Sequence, residues 1–295
     1  MIRDLATKID FPEEAILYLE SCHDKLISDP ELYSELFRAM DMFFLNSDRS
    51  YTSVIEKIAE RSGVHKYTVE IIMLMLAAKP LHYMYRQKGI SDEIYYDTMT
   101  DLRCKLFECK NVYGIWGTFV GFWYHNPVYK CNLFKLGRLE YEKRTLPIKE
   151  YGSFLKEGDT VYSCHIPSAG PLTPESVIDS LKRAHDFFKP ELKNGILPIF
   201  CSSWMLCTDH YEKVYRKGSN LSAFYEMFDV IETSVDNSNH NFWRIFNMEF
   251  SRETLHDAPE STTLQRNFKK FLLEGNDMGN GKGLLLFDGE KIINR

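Results

Sequence analysis

Between Thr160 and Phe188 the chain reads TVYSCHIPSAGPLTPESVIDSLKRAHDFF. A strand-like run ends at His165, a short loop holds Gly170 and two prolines, and a helix signal opens at Thr173-Pro174-Glu175. Threonine is a good helix N-cap and proline suits the first helical turn. Such a strand–loop–helix junction gathers backbone N–H groups with the positive end of a helix dipole behind them, an arrangement that suits an anion such as a pyrophosphate. The same residues would also serve as an ordinary capped connection. The glycine patterns of a Walker loop or a Rossmann turn are absent.

Two other groupings carry reactive side chains. Cys164 adjoins His165, but neighbours on a strand face opposite sides and are poorly placed to pair as nucleophile and base. Cys201, Cys207 and His210 lie close together, yet lack a fourth ligand at zinc-site spacing. Cys104 and Cys109 are five apart on a predicted helix and do not share a face. No metal is expected.

The scaffold around the junction can be read from periodicity. The front of the chain reads as successive helices: one opened by Pro12, one by Asp29-Pro30-Glu31, one from Ser50 to Gly63, a long apolar one from His65, and one from Asp92 to Cys109. The aromatic stretch from Tyr113 to Tyr124 predicts a further helix, closed by Asn126-Pro127. Period-two runs then appear at Phe134, Leu136, Leu139 and Tyr141 and at Val161, Tyr162 and Ile166. A helix is expected over 174–188, a strand over 197–201, short helices through Tyr215 and Phe228, a strand over 228–232, a helix over 263–273 and a closing strand over 284–287. This predicts an α+β protein: an all-helical domain over 1–111, then a mixed sheet flanked by helices over 112–295.

Composition narrows the function classes. Of 295 residues, 44% are hydrophobic and 26% charged, as in a folded globular protein. No apolar run reaches the roughly 18 residues needed to cross a bilayer, and the N-terminal residues lack an apolar signal core, so a cytoplasmic protein without a membrane partner is expected. Seven cysteines without a C-x-x-C pair fit free thiols in a reducing compartment. Residues 54–72, VIEKIAERSGVHKYTVEII, have the outline of a helix-turn-helix. Residues 1–110, however, hold 14 Lys+Arg against 19 Asp+Glu, and 111–295 hold 22 against 23. Neither part has the surplus of cations that a nucleic-acid partner demands.

Several blocks, in order, resemble a bacterial acyltransferase family built from a helical N-acyltransferase N-terminal domain and a GNAT-like C-terminal domain. They are Leu136-Gly137-Arg138-Leu139-Glu140-Tyr141-Glu142, His165-Ile166-Pro167 with Gly170-Pro171-Leu172, Ser203-Trp204-Met205-Leu206, Ser219-Asn220-Leu221 with Phe224 and Phe228, and Thr263-Leu264-Gln265-Arg266. The chain departs from the family at Ser168, where relatives often carry a basic residue, and at Ser202, where a histidine often precedes the tryptophan block.

The resemblance implies direct transfer of an acyl group from acyl-CoA, acetyl-CoA included, to a small-molecule or peptide amine. The alternatives are a non-catalytic binding protein on the same fold and a helix-turn-helix regulator. Under the acyltransferase reading the CoA diphosphate is expected at the backbone of Ala169 and Gly170 and the hydroxyls of Ser168 and Thr173. His165 is the candidate base, since imidazole titrates near neutrality. Tyr211 and Tyr215 are candidate acids for the leaving thiolate. Arg138, Glu140 and Trp204 are candidates to line the acceptor site.

Overall fold

A computed structural model describes residues 2–45, 49–124 and 128–294. The chain divides into two compact units, one ending at Phe134 and one beginning at Lys135.

The first unit is helical: α1 Ile2–Lys8, α2 Glu13–Ile27, α3 Pro30–Leu45, α4 Tyr51–Ser62, α5 Lys66–Gln87 and α6 Asp92–Tyr113. Local chemistry sets the helix ends. Gly63 and Gly114 close α4 and α6 in the left-handed region, at φ 66° and 73°, a conformation glycine adopts without steric cost. The Ser91 hydroxyl caps α6 by accepting from the Ile94 N–H. Helix α5 is the centre of this unit: every residue from Thr68 to Ala78 except Glu70 is buried. The middle of α5 is thus packed on all sides by this unit, while its first turn, at Lys66 and Tyr67, is left at the surface.

The stretch after Tyr113 is not the helix its aromatic content predicts. One 3₁₀ turn, Gly121–Tyr124, is the only helical segment among its described residues. The backbone is spent on α5: the Thr118 N–H donates to the Tyr67 carbonyl at 3.0 Å and the Thr68 hydroxyl to the Trp116 carbonyl at 2.9 Å. A Cβ on Gly117 would lie 2.5 Å from the Tyr67 backbone, so the glycine permits a contact that a helix would forgo. The expected stop at Asn126-Pro127 lies outside the described residues.

In the second unit the strands are β1 Leu133–Leu136, which starts at the unit boundary, β2 Leu139–Thr145, β3 Glu150–Tyr151, β4 Leu155–Lys156, β5 Thr160–His165, β6 Leu197–Ser203, β7 Asp229–Val235 and β8 Gly279–Phe287. The helices are α7 Pro174–Phe188, α8 Thr208–Lys213, α9 Asn220–Glu226, α10 Trp243–Phe246 and α11 Thr263–Leu273. Six strands form one mixed sheet in the order β1-β2-β5-β6-β8-β7, with β3-β4 as a separate ribbon. β5 and β6 pair in parallel, as their connection through α7 allows. The fold is α+β, as the alternation of signals predicts.

Helix α7 buries Val177, Ser180, Leu181, Ala184 and Phe188, one face at helical spacing. They meet the sheet at Tyr141, whose hydroxyl lies 3.0 Å from the Ser180 hydroxyl, and at Tyr162, which packs on Phe188. On the other face Leu146, Leu155, Val161, Phe200, Leu284 and Leu286 form a cluster. A third cluster gathers Trp204, Tyr215, Phe242, Phe268, Phe271 and Leu272.

Strand β8 begins five residues before the apolar run that announces it. Gly279, Gly281 and Gly283 alternate along its front, and the turn after β6 presses on them. A Cβ on Gly281 would sit 1.8 Å from the Leu206 carbonyl oxygen. Gly281→Ala is therefore expected to lower stability by about 3 kcal/mol, at the top of the usual range for overpacking. Urea unfolding checks this; an unchanged midpoint would mean that the turn does not rest on the strand.

Candidate active site

The parallel ladder between β5 and β6 stops short of both strand ends. Tyr162, Ser163 and Cys164 pair with Ile199, Phe200 and Cys201, while β5 runs on to His165 and β6 to Ser203. Beyond the last pair the two strands carry backbone groups not used by each other, at the carboxyl ends where open α/β sheets bind ligands.

His165 lies opposite Glu140 in the antiparallel register of β2 and β5, and Glu142 lies opposite Ser163. All four share a sheet face, the one opposite α7. The His165 Nε2 stands 3.1 Å from a Glu142 carboxylate oxygen, with both side chains largely covered. A carboxylate only accepts, so Nε2 carries the proton in this contact. Glu140 is buried, 2% exposed.

The loop after His165 is anchored at Pro167 and Leu172, both buried, and exposes Ser168 and Gly170 between them. Gly170 has φ 84°, in the left-handed region that favours glycine. Thr173 caps α7: its hydroxyl oxygen accepts from the Ser176 N–H at 3.2 Å. Arg138 reaches this loop and donates to three of its carbonyls, Pro167, Gly170 and Pro171, at 3.0, 2.9 and 3.1 Å.

The remaining expected residues sit elsewhere. Trp204 and Tyr215 belong to the α11-side hydrophobic cluster, and the Tyr215 hydroxyl donates to the Trp204 carbonyl at 3.3 Å. Burial raises the Tyr215 phenol well above its usual range. Tyr211 is partly exposed, stacks on Tyr225 at 4.1 Å and donates to Glu226 at 2.9 Å. That hydrogen bond to a carboxylate raises its pKa. The structure thus brings together His165, Glu142, Arg138 and the 167–173 loop, and sets Trp204 and Tyr215 in a core. Glu142 escapes a reading of sequence alone because its partnership with His165 depends on cross-strand register.

Neither Cys164 nor Cys207 is an activated thiol. Cys164 and Cys201 are in-register neighbours, and the hydrogen bond that the Cys164 thiol gives to Cys201, together with burial, holds Cys164 well above its usual pKa. Burial likewise raises Cys207. His210 is not placed as a metal ligand: both ring nitrogens are engaged, Nδ1 donating to the Trp204 carbonyl at 2.8 Å and Nε2 accepting from the Gly279 N–H at 3.0 Å. It ties the turn after β6 to β8.

Residues 1–129 match the N-acyltransferase N-terminal domain, and residues 133–285 match the GNAT-like C-terminal domain. The chain belongs to the family these two domains define. Its fold is similar to that of an acyltransferase solved in complex with decanoyl-CoA and teicoplanin, at TM-score 0.72 and 20% identity over 96% of this chain and 86% of that one. A mutant acyltransferase in complex with octanoyl-CoA matches at TM-score 0.70 and 19% identity over 96% and 86%. An acyltransferase in complex with decanoyl-CoA matches at 0.64 and 16% over 96% and 98%. No curated protein matches the chain in sequence. No helix among the described residues is long and apolar enough to cross a membrane.

Burial lowers the His210 pKa to about 4, against about 6.5 in an unfolded chain. Below pH 6.5 the unfolded chain takes a proton that the folded one refuses until about pH 4, so the histidine's contribution is complete above pH 6.5 and is lost as pH falls. The loss approaches about 3 kcal/mol by pH 4. Urea unfolding from pH 8 to 4 should show a steeper decline for the unaltered protein than for His210→Gln. Parallel declines would contradict the assignment.

Proposed function

We propose that the protein transfers an acyl group from acyl-CoA to an amine, directly and without a covalent enzyme intermediate. The observation that carries this reading is the junction after His165, where a histidine held by a carboxylate stands at the head of an anion-suited loop in a GNAT-like domain. The acyltransferases similar in fold are in complex with decanoyl-CoA or octanoyl-CoA, so a medium-chain acyl-CoA is the first donor to test.

The reaction requires a diphosphate cradle, a base for the incoming ammonium, a donor for the thioester oxygen and an acid for the leaving thiolate. In this reading the 168–170 backbone, the Ser168 hydroxyl and the α7 N-terminus receive the diphosphate. His165 removes a proton from the amine, and Glu142 stabilises the imidazolium that results. The amine nitrogen bonds to the thioester carbon, the carbon–sulfur bond breaks, and the thiolate takes a proton. Of the two tyrosines, Tyr211 is assigned this last step, because Tyr215 is enclosed in the core. The acceptor is a small-molecule or peptide amine. A glycopeptide of the teicoplanin kind belongs in the first screen, since one acyltransferase of similar fold is in complex with teicoplanin.

Two measurements test this. A ligand at 100 times its Kd stabilises a fold by about 2.7 kcal/mol, so millimolar CoA or decanoyl-CoA should raise the unfolding temperature more than ADP does. No shift with any of them would contradict CoA binding and leave a non-catalytic role. Once an acceptor is found, His165→Ala should reduce kcat about a hundredfold or more in an assay of released thiol, with CoA affinity nearly unchanged. Glu142→Gln should lower kcat by a smaller factor. An unaltered kcat in His165→Ala would remove the histidine from the chemistry.

A further inference from the structure

We infer that Arg138 is a positioning residue for CoA, shaping the diphosphate loop from behind rather than lining the acceptor site. This rests on the acyl-CoA reading above, and goes beyond it by naming what holds the loop in its binding form.

Leu136-Gly137-Arg138-Leu139 joins β1 to β2, with Gly137 at φ 79° and Arg138 outside the positive-φ region. That is the pattern of a type II′ turn, whose first central position takes glycine. The turn is seated on α7: a Cβ on Gly137 would meet the Ser180 backbone at 3.3 Å. The Ser180 hydroxyl accepts from the Leu139 N–H at 3.1 Å and donates to the Leu136 carbonyl. One helical serine thus grips both ends of the turn, and Arg138 projects from its tip.

The guanidinium is a planar fork with five donors. Three of its nitrogens go to three different carbonyls of one loop, Nη1 to Pro167, Nη2 to Gly170 and Nε to Pro171. No peptide bond among the described residues is cis, and in a trans peptide unit the C=O and the following N–H point in opposite directions. Carbonyls drawn towards Arg138 therefore turn the N–H groups of Ser168 and Leu172 away from it. Gly170 is followed by Pro171, which has no N–H to orient.

This has two effects. The negative ends of three peptide dipoles are withdrawn from the anion face, and a fixed positive charge stands behind it. The connections also form a closed circuit: α7 holds the turn through Ser180, the turn holds the loop through Arg138, and the loop leads into α7 through Thr173. The loop is thereby held in one shape before the ligand arrives, which lowers the ordering cost of binding. The loop itself carries no cation between Ile166 and Thr173, and the positive charge beside it comes from Arg138 on the neighbouring turn.

The test compares CoA with pantetheine, which has the same thiol arm without the diphosphate and nucleotide. Calorimetric titration of the full chain would measure both ligands against the unaltered protein, Arg138→Met and Arg138→Lys. The expected result is that CoA affinity falls about tenfold or more in both variants while pantetheine affinity stays within a factor of two. Lysine keeps the stem and the charge but cannot span three carbonyls, so it carries the test if the methionine variant does not fold. Unchanged CoA affinity in Arg138→Lys, or equal losses for both ligands, would overturn the positioning role while leaving the acyl-CoA reading intact. Absence of CoA binding by the unaltered protein would overturn both.

Discussion

The second unit depends on two parallel strands that stop pairing before they end. Parallel neighbours need a crossover, and here it is α7, whose N-terminus must return to the end of β5. This geometry puts a helix dipole, a loop and the ends of two strands in one place. Past Cys164 and Cys201 the facing backbone edges no longer pair with each other, and the segments that follow the two strands are held by polar contacts: the Thr173 cap, the Ser203 side chain accepting from the Met205 N–H, and the fork of Arg138 on the 167–171 loop.

The packing around this point is close on one side and open on the other. Alternating glycines on β8 let the 204–207 turn lie against the strand, and His210 fastens the two with a neutral ring. A side chain at those glycines would push the turn outward. Ser168 and Gly170, by contrast, stand in solvent, and a Cβ on Gly170 would meet no atom within 4 Å. The buried side supports; the exposed side is accessible to a ligand. The helical unit obeys a different rule. The middle of its central helix is buried, and α6 carries Lys105 between Asp101 and Glu108 with all three covered. A buried charged group is tolerated because opposite charges sit beside it.

Much of this organisation can be read from the chain. The bounds of α7 and α11 are set by Thr173-Pro174 and by the capping box of Thr262 and Gln265, because caps are local chemistry. The stretch 113–124 misleads, since aromatic content says nothing of Gly117 docking on the α5 backbone. The start of β8 is hidden because glycines carry no hydrophobic period, although three at alternate positions are themselves a sign of close backbone approach. The strand–loop–helix junction after His165 is legible, because its cap is local. The hydrogen bonds of Arg138 to that loop, and the contact of His165 with Glu142, are not, because both arise from strand register and turn geometry across more than 20 residues of chain.

Backbone hydrogen exchange of the full chain, with and without decanoyl-CoA, addresses the site itself. Binding at the head of α7 predicts slowed exchange at the amides of 168–176, together with those of 203–207 beside the open strand ends. Protection confined to other segments would place the ligand elsewhere and contradict the site. No protection anywhere at millimolar ligand would contradict the acyl-CoA account itself.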